Sequence, residues 1–128
     1  MDYAHVNHHK FLLVYHIVLV TKYRHKLFEL IDIKRIMKEI ELSSDFEIIE
    51  QESDSDHIHL MIKHSPKYSP SSFIKRIKMM STQIAWRKYK HILEKFYWKN
   101  KILWSAGFFV CTIGNASMET IRQYIQEQ

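Results

Sequence analysis

His57 and His59 flank a single apolar residue within the run Asp56-His57-Ile58-His59-Leu60-Met61-Ile62. The run reads as a strand, and strand side chains alternate between faces. Both imidazoles therefore share a face, with their Cα atoms roughly 6–7 Å apart, while Ile58 and Leu60 turn towards a core. Two imidazoles at that spacing can hold one divalent ion and leave coordination positions open. Asp56 stands where it could orient a ring, because a metal-bound histidine usually gives its second N–H to a carboxylate or carbonyl. Near the C-terminus, Tyr124 and Gln128 lie one helical turn apart, about 6 Å along the axis. A tyrosine that reaches such a metal points to a covalent phosphotyrosine reaction on a nucleic acid. Taken alone, each piece also has a plainer reading: half-exposed strand histidines, and an amphipathic helix with a boundary tyrosine.

The elements that must position these groups can be read from periodicity. Residues 11–23 form a first, central strand. A helix over roughly 29–42 carries Ile33, Ile36, Met37 and Ile40 at i, i+3, i+4, i+7, and Ser43-Ser44-Asp45 ends it. Phe46 to Gln51 is a second strand, and the polar turn Ser53-Asp54-Ser55-Asp56 leads into the third, His57 to Lys63. Pro66 and Pro70 bracket a loop. Ser71-Ser72 then caps a long helix with the apolar stripe Phe73, Ile77, Met80 and Ile84. Residues 90–104 mix aromatics with lysines and are ambiguous. Phe108 to Ile113 is a fourth strand, Gly114-Asn115 a turn, and a last helix begins near Ser117 with Met118, Ile121 and Ile125 as its core stripe. The order β-α-β-β-α-β-α predicts an α+β fold, the ferredoxin-like split βαβ: one antiparallel sheet with two helices on one face. The other face is left for a ligand, with the C-terminal helix near it.

Composition bounds the function classes. A chain of 128 residues has the length of a single domain, taken as residues 1–128. Only two glycines and two prolines argue against a linker-rich or disordered protein. A net charge of +5 favours a polyanionic partner. The lone Cys111 excludes an internal disulfide framework and fits a reducing compartment. The longest apolar run, Phe11 to Val20, contains His16 and is too short to span a bilayer, which takes about 20 residues. No membrane association is expected, and the location expected is cytoplasmic.

The strand HIHL, the loop PKYSPS (Pro66 to Ser71), the long basic helix, the stretch LWSAGFFVCTIG (Leu103 to Gly114) and the terminal ETIRQYIQEQ resemble, in the same order, the HUH-type single-tyrosine transposases of bacterial insertion sequences. The resemblance spans residues ~11 to 128, almost the whole chain. It implies that His57 and His59 are metal ligands, Tyr124 the nucleophile and Gln128 a third ligand, with Mg²⁺ or Mn²⁺ as the metal. It implies single-stranded DNA with subterminal hairpins as the partner, nicked and rejoined through a 5′-phosphotyrosine. It also implies a homodimer with composite active sites. Lys22, Arg24, His25 and Lys26 after the first strand, and Lys75, Arg76, Lys78, Arg87 and Lys88 on the long helix, are candidates for phosphate contacts. Trp86, Trp98 and Trp104 are read as core or interface. The competing readings are a non-catalytic or domesticated nucleic-acid-binding protein on the same fold, and a replication-initiator-type HUH nickase.

Overall fold

A computed structural model describes residues 12–112 and 118–128, excepting the side chains of 118–121. Strands β1 (Leu13–Val20), β2 (Glu47–Ser53), β3 (His57–His64) and β4 (Phe109–Thr112) form one sheet in the order β2-β3-β1-β4. Every pairing is antiparallel, which is the split βαβ arrangement. The two longest strands occupy the centre: β3 buries alternate residues along its whole length, and β1 buries both faces from Ile17 to Val20. Tyr15, Ile17 and Leu19 of β1 and Ile58, Leu60 and Ile62 of β3 line one face, all at most 5% exposed.

That face is covered by helices α1 (Ile33–Leu42), α2 (Pro70–Lys88) and α3 (Lys90–Tyr97). The α1 stripe of Ile33, Ile36, Met37 and Ile40 is fully buried, as its spacing predicts. The helix starts later than the expected residue 29, because Asp32 accepts the Arg35 N–H and caps it there. Leu27 and Ile31 are buried by a short 3-10 turn instead. The cap of α2 is Ser69, not Ser71-Ser72: its hydroxyl accepts from the Ser72 N–H and Pro70 takes the first turn, a position where a missing N–H costs nothing. The ambiguous stretch 90–104 resolves into α3 followed by irregular chain that returns to the sheet through a Thr21–Trp104 bridge. The core thus has three covering helices where two were expected. Trp86 and Trp104 are buried as anticipated, whereas Trp98, at the end of α3, is 74% exposed.

The opposite face of the sheet carries His57 and His59 on β3, Val18 and Val20 on β1, and Phe109 on β4, since Val18 pairs with His59 and with Phe109, and Val20 with His57. Helix α4 (Met118–Gln126) packs there through Tyr124 and Ile125. The expected turn Gly114-Asn115, and Phe11, Ile113 and the side chains of Met118 and Ile121, lie outside the described residues. No described helix is long and apolar enough to cross a membrane.

Candidate active site

The alternation of β3 sets the histidines. Ile58 and Leu60 are locked into the core, so His57 and His59 must emerge together on the other face, their ring centroids 5.2 Å apart. Each ring is gripped at Nδ1. His57 Nδ1 lies 2.8 Å from Asp56 Oδ1. Asp56 is itself buried and receives Arg24 Nε on its other oxygen at 3.1 Å. Burial pushes the Asp56 carboxyl up, but the bonds from His57 and Arg24 outweigh it and hold the group below its ordinary value. His59 Nδ1 lies 3.1 Å from Nε2 of His16 on β1. Burial lowers the pKa of both rings; the His57 and His16 charges lower His59 further, while Glu50 opposes the shift at His16. Both are therefore neutral near pH 7, the form that ligates metals.

This donor set fits a divalent ion. With Nδ1 occupied, Nε2 of each ring is the atom left to ligate, and an open polar depression of about 340 Å³ beside the pair is lined by Lys34, Glu52, Ser53, Asp54, His57 and His59. Among the described residues no three His, Cys, Asp or Glu side chains converge into a cage. With two imidazoles alone an ion would be incompletely held, and an amide, a substrate oxygen or water would have to complete its coordination.

Helix α4 brings Tyr124 to the same face, onto Val18 and Val20, the cross-strand neighbours of His59 and His57. Its ring sits 5.8 Å from that of Phe109, over Val18 and Val20. Phe109 is two strands away from His59, a lateral separation of roughly 10 Å. The Tyr124 hydroxyl is buried with no hydrogen-bond partner among the described residues, and burial raises its pKa above the ordinary tyrosine value. Gln128 donates to the Tyr124 carbonyl at 3.2 Å and accepts from Ser105 Oγ at 3.0 Å. Ser105 in turn donates its N–H to Val20, which pairs with His57. The end of α4 is thus pinned at the His57 end of the sheet, with its amide turned to Ser105 rather than to an imidazole.

The basic candidates divide by their partners. Arg24 is bound to Asp56, Arg76 to Ser43 and Ser44 at the end of α1, Lys78 to the Ser105 and Gly107 carbonyls, and Lys88 to Glu39. These four are engaged with other groups of the fold. His25 packs against the Phe96 and Tyr97 rings, and Lys22 lies over Tyr23. Lys26, Lys75 and Arg87 are exposed and make no side-chain bond among the described residues. Sequence reading missed two participants. His16 had a signal, a polar side chain interrupting an apolar run. Ser105 had none.

The matches to known proteins agree with this geometry. A family model described as "Transposase IS200 like" matches residues 9–128. The ISDra2 transposase TnpA of Deinococcus radiodurans is 29% identical over 119 residues, covering 91% of this chain and 84% of that one. The transposase for insertion sequence element IS200 of Salmonella typhimurium is 31% identical over 117 residues, covering 89% and 75%. Among solved structures, a protein described as a transposase from Deinococcus radiodurans R1 superposes with a TM-score of 0.81 at 29% identity, covering 92% of each chain. A REP-associated tyrosine transposase bound to a REP hairpin shares the fold, with a TM-score of 0.56 at 14% identity over 88% of this chain and 62% of that one. The paired histidines, the tyrosine helix on their face and the near full-length match lead to one assignment: the chain belongs to the IS200-like transposase family.

Proposed function

We propose that this protein nicks and rejoins single-stranded DNA at the ends of an insertion sequence through a covalent bond between Tyr124 and a 5′-phosphate. The observation that carries the reading is the pair His57 and His59, each held at Nδ1, on the sheet face to which α4 delivers Tyr124. In the reaction the Tyr124 oxygen attacks phosphorus and the bond from phosphorus to the 3′ oxygen breaks. A 5′-phosphotyrosine and a free 3′-OH result. The ester conserves the energy of the broken bond, so a different 3′-OH can reverse the step and join strands without ATP.

His57, His59 and Gln128 are the proposed holders of Mg²⁺ or Mn²⁺, with nitrogen donors favouring Mn²⁺. When bound, the ion supplies Lewis-acid polarisation of the scissile phosphate. For Gln128 to take part, the Oε1 lone pair that Ser105 does not engage must face the ion. A hydroxyl buried without a partner is disfavoured by about 1–3 kcal/mol, and a raised pKa is the wrong direction for a nucleophile. Tyr124 therefore needs a group that takes up its proton when its oxygen meets the scissile phosphate beside the histidine pair, on its own sheet or on that of a second subunit. We extend to this chain the homodimer with composite sites and the recognition of subterminal hairpins; the REP-bound protein of the same fold lends support to the latter. Lys22, His25, Lys26, Lys75 and Arg87 are the phosphate contacts proposed, since their side chains make no hydrogen bond or ion pair among the described residues.

The test is incubation with labelled single-stranded element ends and Mn²⁺. A protein–DNA adduct that survives denaturation is expected for the wild type and is lost in Tyr124→Phe with hairpin binding kept within a few fold. Binding without any adduct would favour a non-catalytic nucleic-acid-binding protein instead.

A further inference from the structure

We infer that His16 is a positioning residue for the metal site: its Nε2 accepts the Nδ1–H of His59 and thereby frees His59 Nε2 to ligate. The inference rests on the proposed role of His59, but its geometry stands alone. The gap between His16 Nε2 and His59 Nδ1 is 3.1 Å, with ring centroids 5.3 Å apart. Two neutral imidazoles that meet nitrogen to nitrogen at that distance share one proton, and it belongs to one ring or the other. If His16 owned it, His59 Nδ1 would be the acceptor and the His59 proton would sit on Nε2, where it blocks coordination. If His59 owns it, Nε2 carries the lone pair and faces away from His16. Only the second arrangement is compatible with a ligand.

The same logic already holds at His57, whose Nδ1 is bonded to Asp56 Oδ1. Asp56 fixes its neighbour along the chain. His16 performs the equivalent task from across the sheet, because Val18 pairs with His59 and His16 lies one same-face step further along β1. Both rings of the pair thus present the same nitrogen, one fixed by a carboxylate and one by an imidazole. Partners of this kind fix the ring tautomer and orientation, and their loss typically weakens metal affinity by 10–100-fold.

Nitrogen-15 spectra of the metal-free protein, which report the protonated nitrogen of each ring, provide the test. In the wild type His59 is expected to carry its proton on Nδ1. In His16→Phe, which keeps a ring but removes the acceptor, the proton is expected on Nε2, and Mn²⁺ binding followed by the paramagnetic resonance of the free ion should weaken by about tenfold or more. His16→Gln, whose Oε1 can stand in for Nε2, should restore the Nδ1 tautomer and most of the affinity. His16→Leu takes the place of Phe if the larger ring disturbs folding. An Nε2 proton on His59 in the wild type, or an unchanged tautomer in both His16→Phe and His16→Leu, would overturn the assignment. A wild type with the Nδ1 proton that binds Mn²⁺, weakened in His16→Phe, but forms no adduct would support the assignment while removing the proposed function.

Discussion

At the scale of residues, neutral imidazoles make stability depend on pH. His16 and His59 have pKa values lowered from 6.5 chiefly by burial, and burial lowers His64 too. As pH falls through 6.5 the unfolded chain takes up protons on these side chains while the fold resists, so the unfolded state binds more protons and stability falls with pH. The contribution is complete above the unfolded value and is lost as pH drops through the lower folded values. Asp56 adds a separate loss, confined to pH below the ordinary carboxylate range. The urea midpoint of the metal-free protein should therefore fall between about pH 7.5 and pH 5.5, and fall less in His16→Phe, which has one fewer such group. A flat midpoint across that window would contradict the burial of these rings. The histidine pair was legible in the sequence because strand alternation acts between neighbours. The role of His16 was not, since its partner lies 43 residues away and only strand register brings them together. The bond from Arg24 to Asp56 was not legible for a related reason: a surface arginine in a basic run looks free until Asp56 is seen beside it.

At the scale of elements, apolar spacing located α1, α2 and the central strands, because each buries one face against the same core. Boundaries were less legible, since capping by Asp32 and Ser69 depends on single hydrogen bonds that several nearby polar residues could make. The stretch after residue 90 had no clean period because α3 is short and ends abruptly at Trp98, with φ 58 and ψ −122. That conformation costs a non-glycine residue about 1–3 kcal/mol. The indole is 74% exposed and returns little packing energy. Trp98→Gly removes the strain, though glycine gives back part of the gain by loosening the unfolded chain. The net expectation is a protein more stable by about 1 kcal/mol, read as a higher urea midpoint at unchanged slope. A loss of stability would show that the indole packs more tightly than its exposure implies.

At the scale of the whole molecule, the sheet has an apolar edge and a face that receives α4. Among the described residues strand β4 stands at one end of the sheet, and the end of a sheet is where a strand of another chain can add. Tyr124 and Ile125 dock on Val18, Val20 and Phe109, a patch that any second copy also presents. Exchange of α4 between copies would conserve these contacts and cost little, as in domain swapping. The proposed composite site can then be tested by mixing His57→Ala with Tyr124→Phe protein under conditions that exchange subunits. If the tyrosine acts in trans, one site of each heterodimer receives two wild-type histidines and a wild-type tyrosine, so partial adduct formation returns. If it acts in cis, each site keeps one defect and the mixture stays inactive. His57→Ala leaves Asp56 bonded to Arg24, and Tyr124→Phe removes a hydroxyl that has no partner among the described residues, so both variants should fold and the readout reports the site rather than stability. An inactive mixture containing proven heterodimers, or full cleavage by a monomer, would rule out the composite arrangement and require Tyr124 to reach the histidines of its own chain.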